Sequence, residues 1–314
     1  MSHPGPAVDA SPAAFPDEEP PSEDGWRGSG RCSAIDPDTA GPVGSLGTLR
    51  AELDLIDDTL HDLLMRRATV VEQVARAGKP AAFRPGREAT ILRRLIERHH
   101  GSLPPASVIR IWRELLAGTT AMQGGFSLAV CDADPGAELT QVAREHFGAL
   151  TPLRLHGGAG QALADVSQGD ASAAVLPFPS DASPWWVALL HHEPRLHIIA
   201  RLPFWGKRPE GAPTLQALVV AAAPPDASAD DRSFLGFECD SGVSRARLSS
   251  QLAPAGLPAD LMVLRREPGS AVAHLLAEVD GYLADDDPRL GRLGAVLRRP
   301  VVIGRYAVPF AASP

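Results

Sequence analysis

A positively charged side chain stands in an otherwise apolar helical stripe in the first third of the chain. Apolar residues recur there at alternating spacings of four and three, and the series passes through Arg67. The apolar members are Leu49, Leu53, Ile56, Leu60, Leu63, Val70 and Val74. We expect this stripe to be buried. A buried guanidinium without a partner costs several kcal/mol, so Arg67 needs an anion from the protein or from a ligand.

Polar side chains also stand on the inward faces of two further predicted helices. Glu88 comes four residues before the apolar Leu92, and Thr119 and Gln123 continue a stripe that begins with Trp112 and Leu116. A cation, a carboxylate, a hydroxyl and an amide that converge are typical of a site for a small polar ligand. The alternative is that the Arg67 side chain extends to solvent along the apolar surface or pairs with a carboxylate within the protein.

Arg50 adds a geometric indication. It lies 17 residues before Arg67, which on one helix means about 25 Å along the axis and about 100° around it. The two guanidinium groups therefore cannot bind one small molecule within one subunit. If both serve the same kind of site, Arg50 must reach the site of a partner, which predicts an antiparallel dimer of long helices. Otherwise Arg50 is an ordinary solvated residue.

The elements that must position these groups are three helices. The first is predicted from Ser45, a suitable N-cap, to about Lys79, because no proline occurs before Pro80. The second begins near Pro85 and runs to about residue 99. The third begins at residues 104–105 and ends at the glycine pair at 124–125.

The rest of the chain has an α/β pattern. Residues 127–130 and 173–176 are predicted strands, residues 137–147 a helix, and residues 224–231 a break rich in proline and aspartate. The last part is predicted as βαββαβ, the ferredoxin-like arrangement. Its elements are a strand at 233–238, a helix at 243–252, strands at 261–265 and 274–282, a helix at 288–297 and a strand at 301–306.

Composition limits the function classes. Residues 1–44 carry a net charge of −6 out of −8, almost without apolar periodicity, and are predicted to be a disordered tail. The nearly neutral remainder gives no electrostatic footprint for nucleic acid or an anionic membrane. Three widely spaced cysteines fit neither a metal site nor a disulfide framework, and the longest apolar run is too short to span a bilayer. We therefore expect a cytoplasmic protein with reduced thiols.

The polar residues fall within motifs that resemble those of the all-helical chorismate mutases. The motifs, in chain order, are Leu49-Arg50, Ile56-Asp57-Asp58, Leu63-Leu64 with Arg66-Arg67, Arg84-Pro85-Gly86-Arg87-Glu88, and Thr119 with Gln123. The resemblance covers residues 45–124 and implies three-helix subunits in an intertwined homodimer with shared active sites. It also implies the rearrangement of chorismate to prephenate, without a cofactor or a metal.

The resemblance implies a role for each residue. Arg67 would bind one substrate carboxylate, and Arg50 would bind the other in the partner's site. Gln123 and Lys79 would donate hydrogen bonds to the ether oxygen of the breaking bond. Thr119, Arg87 and Glu88 would hold the ring carboxylate and the ring hydroxyl. Two positions depart from the family pattern. Lys79 comes 12 rather than 11 residues after the arginine, so it reaches the site only if the helix end unwinds, and Leu92 replaces a frequent glutamate.

Two downstream segments have resemblances of their own. Residues 126–222 resemble the first lobe of prephenate dehydratase through Gln168-Gly169-Asp170 and the run to Pro177, but lack its threonine-arginine-phenylalanine signature, so we expect a remnant without activity. Residues 232–311 resemble an ACT regulatory domain through the residues at 276–281 and 304–306. An amino-acid effector there would use the residues at 242–245 and 266–268.

Two other functions remain open. An isochorismate pyruvate-lyase shares the helical fold and could use the same arginines. A catalytically inactive, ligand-binding regulator of the aromatic pathway would also keep a polar site while its other domains degenerate. Product analysis with each substrate separates the mutase from the lyase, and a fragment of residues 45–124 that folds as a dimer without turnover would indicate the regulator.

Overall fold

The computed structural model of the chain describes residues 44–77, 83–132, 138–191, 193–206, 208 and 210–310. The chain divides into two units, residues 1–60 and residues 61–314, which are described separately. The predicted disordered tail at 1–44 lies almost wholly outside the described residues. The same is true of Lys79, whose predicted role stays a prediction.

Helix α1 spans Leu46–Arg76. The hydroxyl of Ser45 accepts a hydrogen bond from the backbone N–H of Thr48 at 3.3 Å, so the predicted N-cap is confirmed. The helix ends earlier than predicted, at Arg76.

The predicted burial of the α1 stripe within the chain is wrong. In the first unit Leu49, Leu53, Ile56 and Leu60 are exposed, and in the second unit the exposed members of the stripe are Leu63, Val70 and Val74. No residue of α1, all of which the structure describes, is buried. The physical reason is that a helical stripe is buried only when an opposing apolar surface covers it.

Helices α2 and α3 span Pro85–Glu97 and Pro105–Ala121. Both begin with proline at the first helical position, where the missing N–H costs no hydrogen bond, as the sequence predicts. Their buried side chains form a small core with residues far downstream: Ala89, Leu92, Ile109, Phe204 and Ala307. The two helices therefore pack on the sheet-rich part of the chain as well as on each other.

The described residues beyond α3 form one nine-stranded sheet in the order β2-β1-β3-β5-β4-β9-β6-β8-β7. Helices α4, α5 and α6 span Glu138–Phe147, Ala159–Gln168 and Arg245–Leu252. The strands, from β1 to β9, are Leu128–Val130, Leu153–Leu155, Ala173–Pro177, His197–Leu202, Ala217–Ala221, Asp231–Asp240, Ala259–Arg266, Val272–Asp280 and Arg298–Ala307. The predicted strands near 127–130 and 173–176 and the helix that ends at 147 are confirmed.

The sheet is continuous across the predicted boundary between residues 222 and 232. Strands β4 and β9 run parallel and pair at Ile198 and Gly304. A Cβ atom at Gly304 would lie 2.3 Å from the Cβ of Ile198, so only glycine allows the two strands this close approach. The two downstream segments thus share one sheet, which the sequence patterns did not indicate, and their limits as domains stay a prediction.

The last part of the sheet follows the predicted element order except for its second helix. Strands β9, β6, β8 and β7 are neighbours in that order, and all three pairs are antiparallel. The helix predicted at 288–297 is wrong, because only a 3₁₀ turn forms there, at Leu290–Arg292. The carboxylate of Asp287 binds the backbone N–H and the guanidinium of Arg289, and Gly291 and Gly294 lower the helix propensity, so a turn is favoured.

Candidate functional site

Three of the predicted site residues meet between helices. The half-buried guanidinium of Arg67 donates to the hydroxyl of Thr119 at 3.4 Å. Partial burial lowers the pKa of Arg67, and the charge of Glu88 partly offsets that effect, so the carboxylate lies within electrostatic reach of the guanidinium. The structure therefore brings together the cation, the hydroxyl and the carboxylate that the sequence pattern grouped.

Glu88 is bound to a second arginine that the sequence reasoning missed. The Nη1 atom of Arg113 lies 2.8 Å from Oε2 of Glu88, and both side chains are buried. Burial lowers the pKa of Arg113 to about 10 although the Glu88 carboxylate and its hydrogen bond oppose the shift, so the guanidinium is protonated at neutral pH.

A signal for Arg113 exists in the sequence of α3. Buried residues recur on this helix at spacings of four, three and four: Ile109, Arg113, Leu116 and Thr120. The stripe predicted from the sequence began at Trp112, one position before Arg113. Arg113 was therefore not assigned to the predicted interior. The spacing of Arg113 from its buried neighbours on α3 is therefore a sequence signal for a second buried cation.

The surroundings of Arg113 come from the sheet-rich part of the chain. Its guanidinium lies over the ring of Phe204, 4.9 Å from the centroid. A cavity of about 10 Å³ adjoins the ion pair, which is room for about one water molecule and far too little for a substrate. Its lining includes His146, whose Nε2 atom is buried and has no hydrogen-bond partner among the residues that the structure describes.

The remaining predicted residues are placed differently. The Gln123 side-chain amide donates to the carbonyl of Thr119 at 3.0 Å, which uses one of its two N–H donors. The Arg87 side chain is exposed, and so is Arg50 in its own unit.

Part of the chain has known relatives. Residues 49–124 match the family model of chorismate mutase type II. This segment is a chorismate mutase type II domain. A bifunctional chorismate mutase/prephenate dehydratase of Pseudomonas aeruginosa is 28% identical over 141 residues. The match covers 42% of this chain and 38% of that relative, so the chain corresponds to well under half of the relative's length.

Solved structures resemble the chain at low identity. A prephenate dehydratase from Streptococcus mutans is 13% identical with a TM-score of 0.44, over 59% of this chain and 98% of that one. A structure described as GqqA, a novel type of quorum quenching acylases, is 20% identical with a TM-score of 0.47, over 61% of this chain and 100% of that one.

The chorismate mutase domain is tied to the loop before β6. The carboxylate of Asp226 accepts hydrogen bonds from the backbone N–H groups of Gly86 and Arg87, both at 3.0 Å. The Nε atom of Arg84 lies 3.3 Å from the same carboxylate. A negative charge here satisfies free donors and interacts favourably with the helix dipole of α2. The sequence shows this loop only as a break.

Arg93 makes a second connection between the mutase domain and the same loop. Its guanidinium donates to the carbonyl and the hydroxyl of Ser228 at 3.1 and 2.9 Å, and to the carbonyl of Val308 at 2.8 Å. The buried side of α2 is therefore fixed to residues more than 130 positions away in the chain.

The two segments with ACT-like motifs adjoin each other outside the mutase domain. The guanidinium of Arg266 donates to the carbonyls of Ser241 and Val243, both at 2.7 Å. The hydroxyl of Ser244 caps α6 by accepting from the N–H of Arg247 at 3.3 Å. An amino-acid effector at these segments stays a prediction.

Within the described ranges, no group of three or more histidine, cysteine, aspartate or glutamate side chains could hold a metal ion. No helix in the part of the chain that the structure describes combines the length and the apolar character needed to cross a membrane.

Proposed function

We propose that the chain catalyses the rearrangement of chorismate to prephenate as a homodimer. One observation carries the proposal: within the segment that matches chorismate mutase type II, the half-buried Arg67 contacts Thr119 and lies within electrostatic reach of Glu88. A partly desolvated guanidinium beside a hydroxyl is suited to a carboxylate ligand, because charge-assisted hydrogen bonds are strong where water is scarce.

Each predicted residue keeps its proposed role in this reaction. Arg67 binds one carboxylate of chorismate, and Arg50 binds the other from the partner subunit. Gln123 and Lys79 donate to the ether oxygen. Thr119, Arg87 and Glu88 hold the ring carboxylate and the ring hydroxyl.

The chemistry needs neither a nucleophile nor a proton transfer. The site must hold the enolpyruvyl arm in its reactive conformation, because an ordered geometry removes part of the activation entropy. It must also place fixed donors at the ether oxygen, which gains negative charge in the transition state, and one such donor is typically worth about 3 kcal/mol. The amide of Gln123 is neutral at any ordinary pH, so kcat needs no protonated side chain at this position.

The exposed stripe of α1 supports the homodimer. In the first unit Leu49, Leu53, Ile56 and Leu60 are 40–58% exposed. A row of exposed leucine and isoleucine side chains at helical spacing is unfavourable in water and is typical of an interface. A second copy of the same helix supplies the matching apolar surface and, in an antiparallel dimer, brings Arg50 to the partner's site.

The downstream segments are proposed to have no dehydratase activity. The chain is proposed to act in the cytoplasm, in the biosynthesis of phenylalanine and tyrosine. The missing threonine-arginine-phenylalanine signature supports the first point. Cys131 and Cys239 are free thiols, which agrees with a reducing compartment. An amino-acid effector is proposed at the adjoining segments around Ser244 and Arg266.

The regulator hypothesis has one specific observation in its favour. The Gln123 amide is engaged with the Thr119 carbonyl at 3.0 Å, and Glu88 is engaged with Arg113 at 2.8 Å. A protein that only binds its ligand could keep both contacts, and a catalyst that keeps them has only the second N–H of the Gln123 amide to donate to the ether oxygen.

The deciding experiment incubates the full chain with chorismate and, separately, with isochorismate, and identifies the products by chromatography. Prephenate from chorismate supports the proposal, whereas pyruvate and salicylate from isochorismate alone would favour the lyase. Binding of chorismate without any product would favour the regulator. The Arg67→Ala variant is the control for contaminating activity, because it should form no prephenate.

A further inference from the structure

A second cavity, of about 570 Å³, is lined by the end of β4, by residues just before β5 and by the last described residues of the chain. We propose that it binds a small organic carboxylate with an apolar body. The cavity is large enough, since sites for small molecules typically measure about 300–1,000 Å³. It shares no residue with the mutase site, so the proposal does not depend on the proposed mutase function.

Two guanidinium groups form the charged side of the cavity. Arg201 and Arg208 line it, and their side chains are only 22% and 12% exposed. None of the described lining residues is acidic. A positively charged wall without a competing carboxylate favours an anionic ligand, and limited contact with water strengthens the attraction.

Each of the two arginines is held by a carboxylate outside the lining of the cavity. The Nη1 atom of Arg201 donates to Glu278 at 3.0 Å, and the Nη2 atom of Arg208 donates to Glu145 at 2.7 Å. The charge of Glu278 is shared with Arg232, which lies 3.5 Å from its second oxygen. These contacts fix the two planar groups but use only some of the five N–H donors of each.

Arg208 has a donor that lacks an acceptor. Its Nε atom is buried and has no hydrogen-bond partner among the residues that the structure describes. Such a donor is rare and unfavourable, and a carboxylate bound at this guanidinium would supply the missing acceptor. The geometry of the charged side therefore fits a carboxylate.

Two neutral side chains add further donors to the cavity. Oε1 of Gln216 accepts a hydrogen bond from Nη2 of Arg201 at 2.8 Å, an orientation that leaves the two N–H donors of the amide for other acceptors. Thr214 also lines the cavity, with an exposed side chain. The polar side thus consists mainly of donors, as an anion requires.

The remaining wall of the cavity is apolar and includes Pro309 and Phe310. The Phe310 ring packs against Phe204 and Trp205, with ring centroids 5.5 and 5.1 Å apart. Its backbone N–H donates to the carbonyl of Phe204 at 2.9 Å, which fixes the position of this wall. An inorganic anion could use only the charged side, whereas a carboxylate with an aromatic or aliphatic body also buries apolar surface here.

The test is isothermal titration calorimetry of the full chain with 3-phenylpropanoate. We expect saturable binding. Two matched probes define the ligand class: 3-phenylpropanamide lacks the charge, and propanoate lacks the ring. Each should bind at least about tenfold more weakly, which corresponds to about 1.4 kcal/mol of binding free energy.

Variants assign the binding to this cavity. Arg208→Gln should weaken binding of 3-phenylpropanoate about tenfold or more, because it removes one of the two cations. Thr214→Trp should abolish binding, because the large ring enters the cavity from an exposed position. Arg247→Gln is the control for net charge and should keep the wild-type affinity, since this exposed arginine of α6 does not line the cavity.

Thermal unfolding shows whether each variant is folded. If Arg208→Gln is not, Thr214→Trp carries the assignment, because the exposed Thr214 side chain tolerates replacement. Absence of saturable binding of 3-phenylpropanoate up to about 10 mM would overturn the proposal. Binding that the folded variants leave unchanged would also overturn it, because the acid would then bind elsewhere. Equally tight binding of the amide or of propanoate would contradict the ligand class.

Discussion

The carboxylate of Asp226 caps the helix that begins at Pro85, because its Oδ1 atom accepts the backbone N–H of Gly86 at 3.0 Å across 140 residues of sequence. A cap normally comes from the residue just before a helix. Here Arg84 stands at that position and makes no side-chain cap, and the loop before β6 supplies the missing acceptor instead.

Gly86→Ala should lower the free energy of unfolding by about 1–3 kcal/mol, a typical cost of overpacking. A Cβ atom at this position would lie 2.3 Å from the carbonyl oxygen of Asp226, so the loop must move away from α2. Urea unfolding measures the loss. Gly118→Ala is the matched control, because nothing lies within 4 Å of its Cβ position, and it should stabilise α3 by about 1 kcal/mol. Equal effects of both substitutions would contradict the close contact.

Glu88→Ala should destabilise the fold by about 3–5 kcal/mol, because it leaves the buried guanidinium of Arg113 without its carboxylate. Thermal or urea unfolding of the purified variant tests this value. Glu97→Ala removes an exposed glutamate from the same helix and should cost no more than about 0.5 kcal/mol. A loss for Glu88→Ala as small as that of the control would show that the ion pair contributes little.

Acid should destabilise the fold through His146. Burial, and then the charge of Arg113, lower the pKa of this imidazole well below 6.5, so the folded protein holds it neutral. The free energy of unfolding therefore includes the full contribution of the neutral imidazole at pH values above its pKa in the unfolded chain, near 6.5. That contribution is lost as pH falls below 6.5, by at most about 1.4 kcal/mol per pH unit.

His146→Gln removes this titration, so the free energy of unfolding should fall less between pH 7.5 and pH 5 than it does in the wild type. His197 shifts in the same direction and stays in both proteins, so the difference between them isolates His146. His61→Gln, at an exposed position, is the control and should keep the wild-type slope. Parallel pH curves for wild type and His146→Gln would refute the prediction.

Mixed dimers should reveal whether active sites are shared. Arg50→Ala and Arg67→Ala should each abolish prephenate formation, since each removes one carboxylate-binding cation. After full subunit exchange, half of the dimers are mixed and each carries one intact site, so about a quarter of wild-type activity should return. Native mass spectrometry confirms the exchange. No recovery despite confirmed exchange would contradict the shared-site dimer.

The sequence alone determined the local elements of the helical part. Ser45, Pro85 and Pro105 mark helix starts because capping and proline geometry depend on neighbouring residues only. The spacing of Thr119 and Arg67 on their helices likewise predicted that they face a common interior, and their 3.4 Å contact agrees with that. The same local rules failed at 288–297, where side-chain bonds of Asp287 and two glycines favoured a turn over the helical pattern.

Only the tertiary structure decided which charges meet. Glu88 pairs with Arg113, 25 positions away in the chain. The Arg113 guanidinium packs on the ring of Phe204, 91 positions away. Asp226 caps α2 from 140 positions away. Helical periodicity assigns a residue to a face but does not say which distant element covers that face. That choice is made by the packing of α2 and α3 on the sheet and by the close approach of β4 to Gly304, and neither leaves a short-range pattern in the sequence.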